Sequence, residues 1–298
     1  MVNAIDHVLL VHNKDAGDSS VRRGALVALL ESRGLSVRAC ETSPGAIRAA
    51  LADRPTMAVA AGGDGTVALV VTLAAGTDVP VAPLAMGGLN NIANAFDMSG
   101  SIESIVAGWR AARRESIDCG RVSGVWGEAR FVEAVGFGPL TAALADVAGE
   151  AETAAEKLAK GREAFRRSLG EAAEQAVTVT LDGERHEVVA LGLEVLNLPA
   201  IGPRLRLAPN AHPGDGRFDV VIIEPDDRAP LMRWVAAHCP GDPPLRARLA
   251  RRIEVTGFAS LRIDDPKREK ETQGAPVVIE PYRSVDLILP AHVPGAAP

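Results

Sequence analysis

Five consecutive residues, Gly62-Gly63-Asp64-Gly65-Thr66, combine three glycines with a carboxylate and a hydroxyl. Glycine accepts φ > 0 and lets a bulky anion approach the backbone, and the N–H groups and dipole at the start of a helix favour negative charge there. The string follows the apolar run Thr56–Ala61 and opens a helical stretch at Val67, the strand-to-helix setting in which such a turn can hold phosphate. Asp64 looks out of place beside an anion. It makes chemical sense if it acts through Mg²⁺ or orients an acceptor hydroxyl, because phosphoryl transfer rests on positioning and charge neutralisation; the plainer reading is a tight turn with Asp64 as a cap. A second glycine turn, Gly87-Gly88, lies within Pro83–Ala93, after another apolar run and again ahead of a helix. By itself it reads as a loop. Two such turns at neighbouring strand ends could enclose one nucleotide.

Holding two turns side by side takes a parallel sheet, and the first third of the chain is patterned for one. Short apolar runs, His7–His12, Leu35–Glu41, Thr56–Ala61 and Val79–Leu84, alternate with amphipathic stretches, one of them from about Ser19 to Arg33. Ser43 and Pro44 supply an N-cap and a first-turn proline for a helix ending near Asp53. Runs without polar alternation suit strands covered on both faces, so this part reads as an open, doubly wound parallel sheet whose ligands belong at the strands' carboxyl ends. After Ser116 the texture turns to alternating antiparallel β: Arg130–Phe137, Val177–Leu181, His186–Leu196, Leu205–Ala208, Phe218–Ile223, Ile253–Ile263 and Val277–Ile279, with one helical insertion at roughly Leu140–Gln175. The expected architecture is α/β, with an α/β domain over 1–120 to which 283–298 returns and a β-rich domain over 121–282.

The 298 residues suffice for two cores, since domains commonly run to about 100–200 residues. A formal net charge of −6 argues against nucleic acid as a partner, because phosphate-backbone affinity comes from clustered Lys and Arg. No run approaches the ~20 apolar residues of a membrane span. Asp6 and His7 stand where a signal peptide would be basic and then apolar, so a cytoplasmic location is expected. Cys40, Cys119 and Cys239 are far apart and signal neither a disulfide framework nor zinc. The sequence is open to a homodimer without arguing for one.

Several further strings fall in a fixed order: Asn13-Lys14-Asp15-Ala16-Gly17, Thr42, Gly62–Thr66, Pro83–Ala93 with Gly87, Gly88 and Asn90, Ile117-Asp118 followed by Gly120, and Ala208-Pro209-Asn210-Ala211 with Asp215-Gly216-Arg217-Phe218-Asp219. They resemble, respectively, the NPxxG loop, a nucleotide-contacting threonine, the GGDGT signature, a PLPLGTLNHFA variant, IDxG and PxAxxDDGxLD of the diacylglycerol kinase catalytic-domain family, which includes bacterial lipid kinases and the sphingosine and ceramide kinases. The resemblance spans nearly the whole chain. It implies ATP at Asn13, Gly17, Thr42, Gly62, Gly63, Asp64, Gly65, Thr66, Gly87, Gly88 and Asn90, Mg²⁺ at Asp215 and Asp219, and phosphorylation of a hydroxyl on a diacylglycerol-, ceramide- or sphingoid-like lipid at a membrane surface, which would place the protein at the inner membrane as a peripheral partner.

Departures from the family pattern bear on catalysis. Ala68 and Leu69 replace its Asn-Glu pair, Lys14 its NPxxG proline and Gly88 the threonine of the GT turn. At the place of the late DGE motif stands Asp264-Asp265-Pro266, which keeps the first acid and loses the glutamate. Asp64 and Asp264 are the expected catalytic residues, Asp264 at the end of the segment Leu261–Ile263 and facing a cleft; Glu269 or Glu271, in a charged run read as solvated, would be next. A literal Asp182-Gly183-Glu184 joins two alternating segments and reads as a hairpin turn instead. The alternatives to a lipid kinase are a weakened homologue that binds lipid or nucleotide as a regulatory or carrier module, and a kinase of a soluble substrate of the NAD kinase type, which shares GGDGT. Two surfaces could meet lipid: a helix with Leu158, Phe165, Leu169 and Ala172 on one face, for which core packing competes, and the basic cluster Arg246–Arg252, read as helical.

Overall fold

A computed structural model describes residues 7–14, 22–146 and 153–291. The chain divides into two compact units, with breaks between Ile117 and Asp118 and between Tyr282 and Arg283.

In the first unit β1 (His7–His12), α1 (Arg23–Glu31), β2 (Ser36–Cys40), α2 (Pro44–Ala52), β3 (Met57–Gly62), α3 (Asp64–Ala74), β4 (Val81–Ala85), α4 (Asn91–Ala95) and α5 (Ile102–Gly108) follow one another. The strands lie parallel in the order β2-β1-β3-β4. β3 is buried at every position, as its unbroken apolar run requires of a strand covered on both faces. Ser43 caps α2 by accepting from the Ala46 N–H, with Pro44 in the first turn, which fixes where that helix starts. The carboxyl ends of β1, β2, β3 and β4 therefore share one edge of a parallel sheet.

β5 (Arg113–Gly124) carries the chain into the second unit. There follow β6 (Gly127–Phe131), β7 (Ala134–Phe137), α6 (Pro139–Asp146), α7 (Ala154–Glu171), β8 (Gln175–Leu181), β9 (Glu184–Ala190), β10 (Gly192–Leu196), β11 (Phe218–Ile223), α8 (Arg228–Ala236), β12 (Ala247–Ala250), β13 (Ile253–Thr256), β14 (Ser260–Ile263), β15 (Asp265–Glu271) and β16 (Val277–Leu289). Six antiparallel strands run in the order β12-β11-β10-β7-β14-β15, and β9-β8-β13 continue onto the first half of β16. A core of Phe131, Phe137, Val179, Phe218, Val255 and Ile279 joins these strands. On the other face of the six-stranded sheet Leu196 and Val221 pack with Phe165, Leu169 and Leu231 from α7 and α8. The end of β16 belongs to the first unit, where Leu287 pairs with Val81 of β4 in parallel register.

Local chemistry explains where the elements differ from the sequence reading. The helical insertion is two helices, and α7 starts at a capping box in which Thr153 and Glu156 satisfy each other's backbone N–H. Phe165 and Leu169 are fully buried, so the apolar stripe of α7 packs on its own unit and is not a free membrane face. Arg246–Arg252 is not a helix: Ala247–Ala250 form the edge strand β12, with Arg246 just before it and Arg251 and Arg252 in the bend after it. Leu205–Ala208 is loop, with a single bridge between Ile201 and Leu205. The segment Ile253–Ile263 is two strands, broken where Gly257 takes φ 110 with its α-carbon too close to Ala176 O for a side chain. Lys267–Glu271 forms most of the edge strand β15. Asp182 and Gly183 both take positive φ between β8 and β9, a two-residue hairpin turn, and the Asp182 carboxylate accepts the N–H groups of Arg251 and Arg252.

Candidate functional site

The two glycine turns of the first unit touch. Gly62 O accepts from Met86 N at 2.8 Å, and a β-carbon on Gly87 would lie 2.7 Å from the Gly63 α-carbon and 2.9 Å from Asn90 Oδ1. Only glycine at 87 leaves room for that approach. Asn90 sits in the left-handed region at φ 52 and braces its own turn, accepting from Gly87 N at 2.9 Å and donating to Gly87 O at 2.8 Å. A β-carbon on Gly62 would strike the Thr66 side chain at 2.4 Å, so Thr66 folds back over the strand end, where its hydroxyl accepts from Asn13 Nδ2 at 3.3 Å. Asn13 in turn donates its backbone N–H to Ala61 O. A side chain on Gly65 would meet nothing within 4 Å, which leaves open space over the first turn of α3.

Asp64 is the first helical residue of α3, and its two carboxylate oxygens accept the Asn91 and Ile92 N–H groups at 2.9 and 3.0 Å. It thus caps α4 across the sheet edge and ties one glycine turn to the other. Of the reading with Asp64 as catalyst and that with Asp64 as cap, the geometry displays the cap; the cap also brings the N-terminus of α4, a locally positive group, beside that of α3. Thr42 lies half-buried just beyond β2, at the same sheet edge. The sheet edge therefore gathers Asn13, Thr42, Gly62, Gly63, Asp64, Gly65, Thr66, Gly87, Gly88 and Asn90. Gly17 falls outside the described residues.

In the second unit, Asp219 at the start of β11 is half-buried. Burial and then the neighbouring Asp215 charge push its carboxyl up to about 6, with His212 acting in the opposite sense. Asp215 accepts from Arg217 N at 2.9 Å, a local turn bond that leaves its second oxygen out of that bond. Asp118, buried at the chain's entry into this unit, accepts from Gly216 N at 2.7 Å, and its backbone donates to Pro213 O. Asp118 so holds the loop that bears Asp215 and leads into Asp219 on β11. Among the described residues no group of three or more His, Cys, Asp or Glu side chains is arranged to hold a metal ion. Mg²⁺ asks for less, since it keeps several waters and binds through one or two carboxylates. A carboxylate raised by burial and then by a neighbouring carboxylate fits such a cation, which would relieve the repulsion between the two.

Asp264 does follow β14, between buried Leu261 and Ile263 on the strand and exposed Asp265 beyond it. Its carboxylate, however, turns inward and does not stand free at the strand end. It accepts from Val132 N at 3.1 and 3.2 Å, Glu133 N at 2.8 Å and Ala134 N at 3.1 Å, and Arg268 Nη1 lies 3.3 Å from Oδ2. Burial pushes this carboxyl up, against the Arg268 charge and the three backbone donors. The residue itself takes φ 55, a left-handed conformation that asparagine and aspartate tolerate best among side-chain-bearing residues. Glu269 and Glu271 lie exposed on β15, Glu269 accepting from the Ser260 hydroxyl at 2.6 Å. Arg268 also reaches Asp264, and nothing in the sequence marks it: it sits within a charged run, and its four-residue separation from Asp264 is a neighbour spacing on a helix, whereas Arg268 lies on β15.

Comparisons with known proteins match the chain in two stretches. A family model described as the diacylglycerol kinase catalytic domain matches residues 7–122, and one described as the YegS C-terminal NAD kinase beta sandwich-like domain matches residues 137–264. Proteins named diacylglycerol kinase from two strains of Mycobacterium tuberculosis, CDC 1551 / Oshkosh and H37Rv, are each 27% identical over 197 residues, 63% of this chain and 61% of theirs. A crystal structure from Bacillus anthracis strain Sterne superposes with a TM-score of 0.74 at 16% identity, covering 96% of this chain and 97% of its own. Another from the same strain, described as a diacylglycerol kinase, gives 0.69 at 15% identity with 98% of each chain covered. At such identities the structural likeness speaks for the fold.

Proposed function

Because the chain belongs to the diacylglycerol kinase family, we propose that it transfers the γ-phosphoryl group of ATP to the hydroxyl of a diacylglycerol-, ceramide- or sphingoid-like lipid. The observation that carries this reading is the pair of abutting glycine turns, Gly62–Gly65 and Gly87–Gly88, each leading into a helix at the carboxyl edge of a parallel sheet. Helix N-termini there offer backbone N–H groups and positive partial charge to phosphate. Asn13 and Thr66 line the same edge and Thr42 stands at its margin. Asp64 serves by fixing the two turns relative to each other, a positioning task that phosphoryl transfer rewards.

Asp215 and Asp219 are the residues that would hold Mg²⁺, whose contribution is to neutralise charge on the phosphates. Ionised Asp219 is the form that binds a cation. Asp264 organises the backbone at residues 132–134, and the loose character of phosphoryl transfer, which needs little proton abstraction from the acceptor, is compatible with a chain that lacks the glutamate of the DGE motif. The surface suited to anionic lipid is the edge strand β12 and its turn: Arg246, Arg248, Arg251 and Arg252 are all exposed, and Leu249 between them is 46% exposed. Basic residues near an anionic membrane contribute about 1 kcal/mol each.

A second reading has its own observation. Both candidate catalytic carboxylates, Asp64 and Asp264, spend their oxygens on backbone N–H groups, the arrangement of a chain that binds nucleotide or lipid without turning it over. Incubation with labelled ATP, Mg²⁺ and a mixed lipid extract separates the two: labelled lipid supports the kinase, and ATP binding without labelled lipid supports the binding protein.

A further inference from the structure

Three central strands of the six-stranded sheet carry a charged pair that no step of the proposed chemistry uses. Glu194 on β10 and Arg262 on β14 both pair with Gly136 of β7, so the three residues stand in one cross-strand row. Arg262 is 0% exposed and Glu194 1%, and Arg262 Nη2 donates to Glu194 Oε2 at 2.8 Å. The pair meets directly above Gly136: a β-carbon there would lie 2.4 to 2.5 Å from both carboxylate oxygens and from Nη2. Any side chain at 136 would drive the partners apart.

As a source of stability this is a poor arrangement. Glu194 Oε1 and Arg262 Nε are buried with no hydrogen-bond partner among the described residues, and burial pushes the Glu194 carboxyl up to about 7 in spite of Arg262. Apolar side chains of similar volume commonly replace such pairs at no loss of stability, so a row of this kind is informative through what else it holds. The guanidinium has a second bond. Its Nη1 donates to the carbonyl oxygen of Asp264 at 2.7 Å, which pins the left-handed residue that follows β14.

From there the connections continue within the unit. Asp264 gathers the N–H groups of Val132, Glu133 and Ala134. Asn197, one residue beyond β10, donates its side-chain amide to Val132 O at 2.7 Å and to Asp118 O at 2.9 Å, and its backbone to Glu133 O. Asp118 holds Gly216 N, between the two acids Asp215 and Asp219. We infer that Glu194 and Arg262 are positioning residues: through Asp264, the 132–134 segment and Asn197, they set the geometry of the loop that presents Asp215 and Asp219. This deepens the kinase reading and rests on it for its catalytic consequence, whereas the coupling itself is a property of the fold.

The test uses the full chain with Glu194→Leu combined with Arg262→Met, and Glu194→Gln as a near-isosteric second variant for the case in which the double variant does not fold. Backbone amide exchange is read at Val132, Glu133, Ala134 and Gly216, with the β8–β9 hairpin amides as an internal control. Exchange at least tenfold faster at the first group with the hairpin unchanged is the expected result, together with weaker Mn²⁺ binding in the variant; unchanged exchange and unchanged Mn²⁺ affinity in a folded variant would overturn the coupling. Where the parent phosphorylates lipid, kcat should fall at least tenfold with the KM for ATP within twofold, and Glu194→Asp should recover part of the loss. Full kcat despite faster exchange would overturn the positioning role. A parent that phosphorylates no lipid counts against the kinase reading alone, since exchange and Mn²⁺ binding still decide the coupling.

Discussion

Replacing Asp264 with asparagine separates a structural anchor from a group that acts on the acceptor. In the parent, one carboxylate oxygen accepts from Glu133 and Ala134 and the other from Val132 and Arg268. Asparagine keeps the first acceptor but puts an N–H₂ group where the second was, facing two donors. The negative charge also disappears from beside Arg268. Charge-assisted hydrogen bonds are worth about 1.5–3 kcal/mol each and a buried polar group left unpaired costs about 1–3 kcal/mol, so Asp264→Asn, which disturbs the bonds from Val132 and Arg268, is expected to destabilise the second unit by about 3–5 kcal/mol. Urea unfolding followed by circular dichroism should show the midpoint lowered by about 1–2 M at an unchanged slope. Arg268→Ala should cost about 1 kcal/mol or less, since that side chain is 41% exposed. An asparagine variant as stable as the parent, yet slowed only in kcat, would refute the anchor and restore a direct role on the hydroxyl.

Further outcomes follow from the same geometry. Gly87→Ala places a methyl 2.7 Å from the Gly63 α-carbon and should weaken ATP binding at least tenfold, about 1.4 kcal/mol, by calorimetry, with the second unit's unfolding unchanged; retained affinity would show that the turns need not touch. Asp64→Ala frees two N–H groups on α4 and should lower ATP affinity and the unfolding temperature of the first unit together, whereas Asp64→Asn, which keeps one acceptor, should do about half as much in free energy, on the scale of about 1–3 kcal/mol per buried unpaired group. Asp219, raised to about 6, should make Mn²⁺ affinity level above about pH 7 and decline below about pH 6 as its proton competes with the cation. The same raised pKa means that, without metal, this group's contribution to stability is full below the ordinary aspartate range and is lost as pH rises through about 6. Asp215→Asn should shift the onset of that decline to lower pH, and an unchanged onset would argue that the two carboxylates do not interact.

Much of this site was legible in the sequence because it is local. The run Thr56–Ala61 and the glycines after it specify a buried parallel strand ending in a turn, and Ser43 with Pro44 specifies a helix start; each signal lies within a few residues of its effect. Asp182-Gly183 was readable as a turn for the same reason. The inward turn of Asp264 was not, because its partners are the backbone N–H groups of residues 132–134, more than a hundred positions away, and backbone donors carry no side-chain signature. Glu194 and Arg262 look like ordinary strand residues until the register puts both against Gly136. The run Arg246–Arg252 suits a solvated helix as well as a strand, because its charges show no sustained period-2 alternation, and only the pairing of Ala247–Ala250 with β11 makes it an edge strand. Asp64 shows the limit from the other side: the string that names a phosphate turn also suits a cap, and only the positions of Asn91 and Ile92 show where its carboxylate bonds.

The central claim, that the paired glycine turns deliver phosphoryl groups to a lipid, is tested most directly by incubating the parent and a Gly87→Val variant with γ-labelled ATP, Mg²⁺ and a mixed lipid extract and then separating the lipids. The account predicts labelled lipid from the parent and at least a hundredfold less from the variant, about 2.7 kcal/mol of lost transition-state stabilisation, with the variant still folded. A folded parent that binds ATP yet labels no lipid, or a variant that labels as much as the parent, would contradict it.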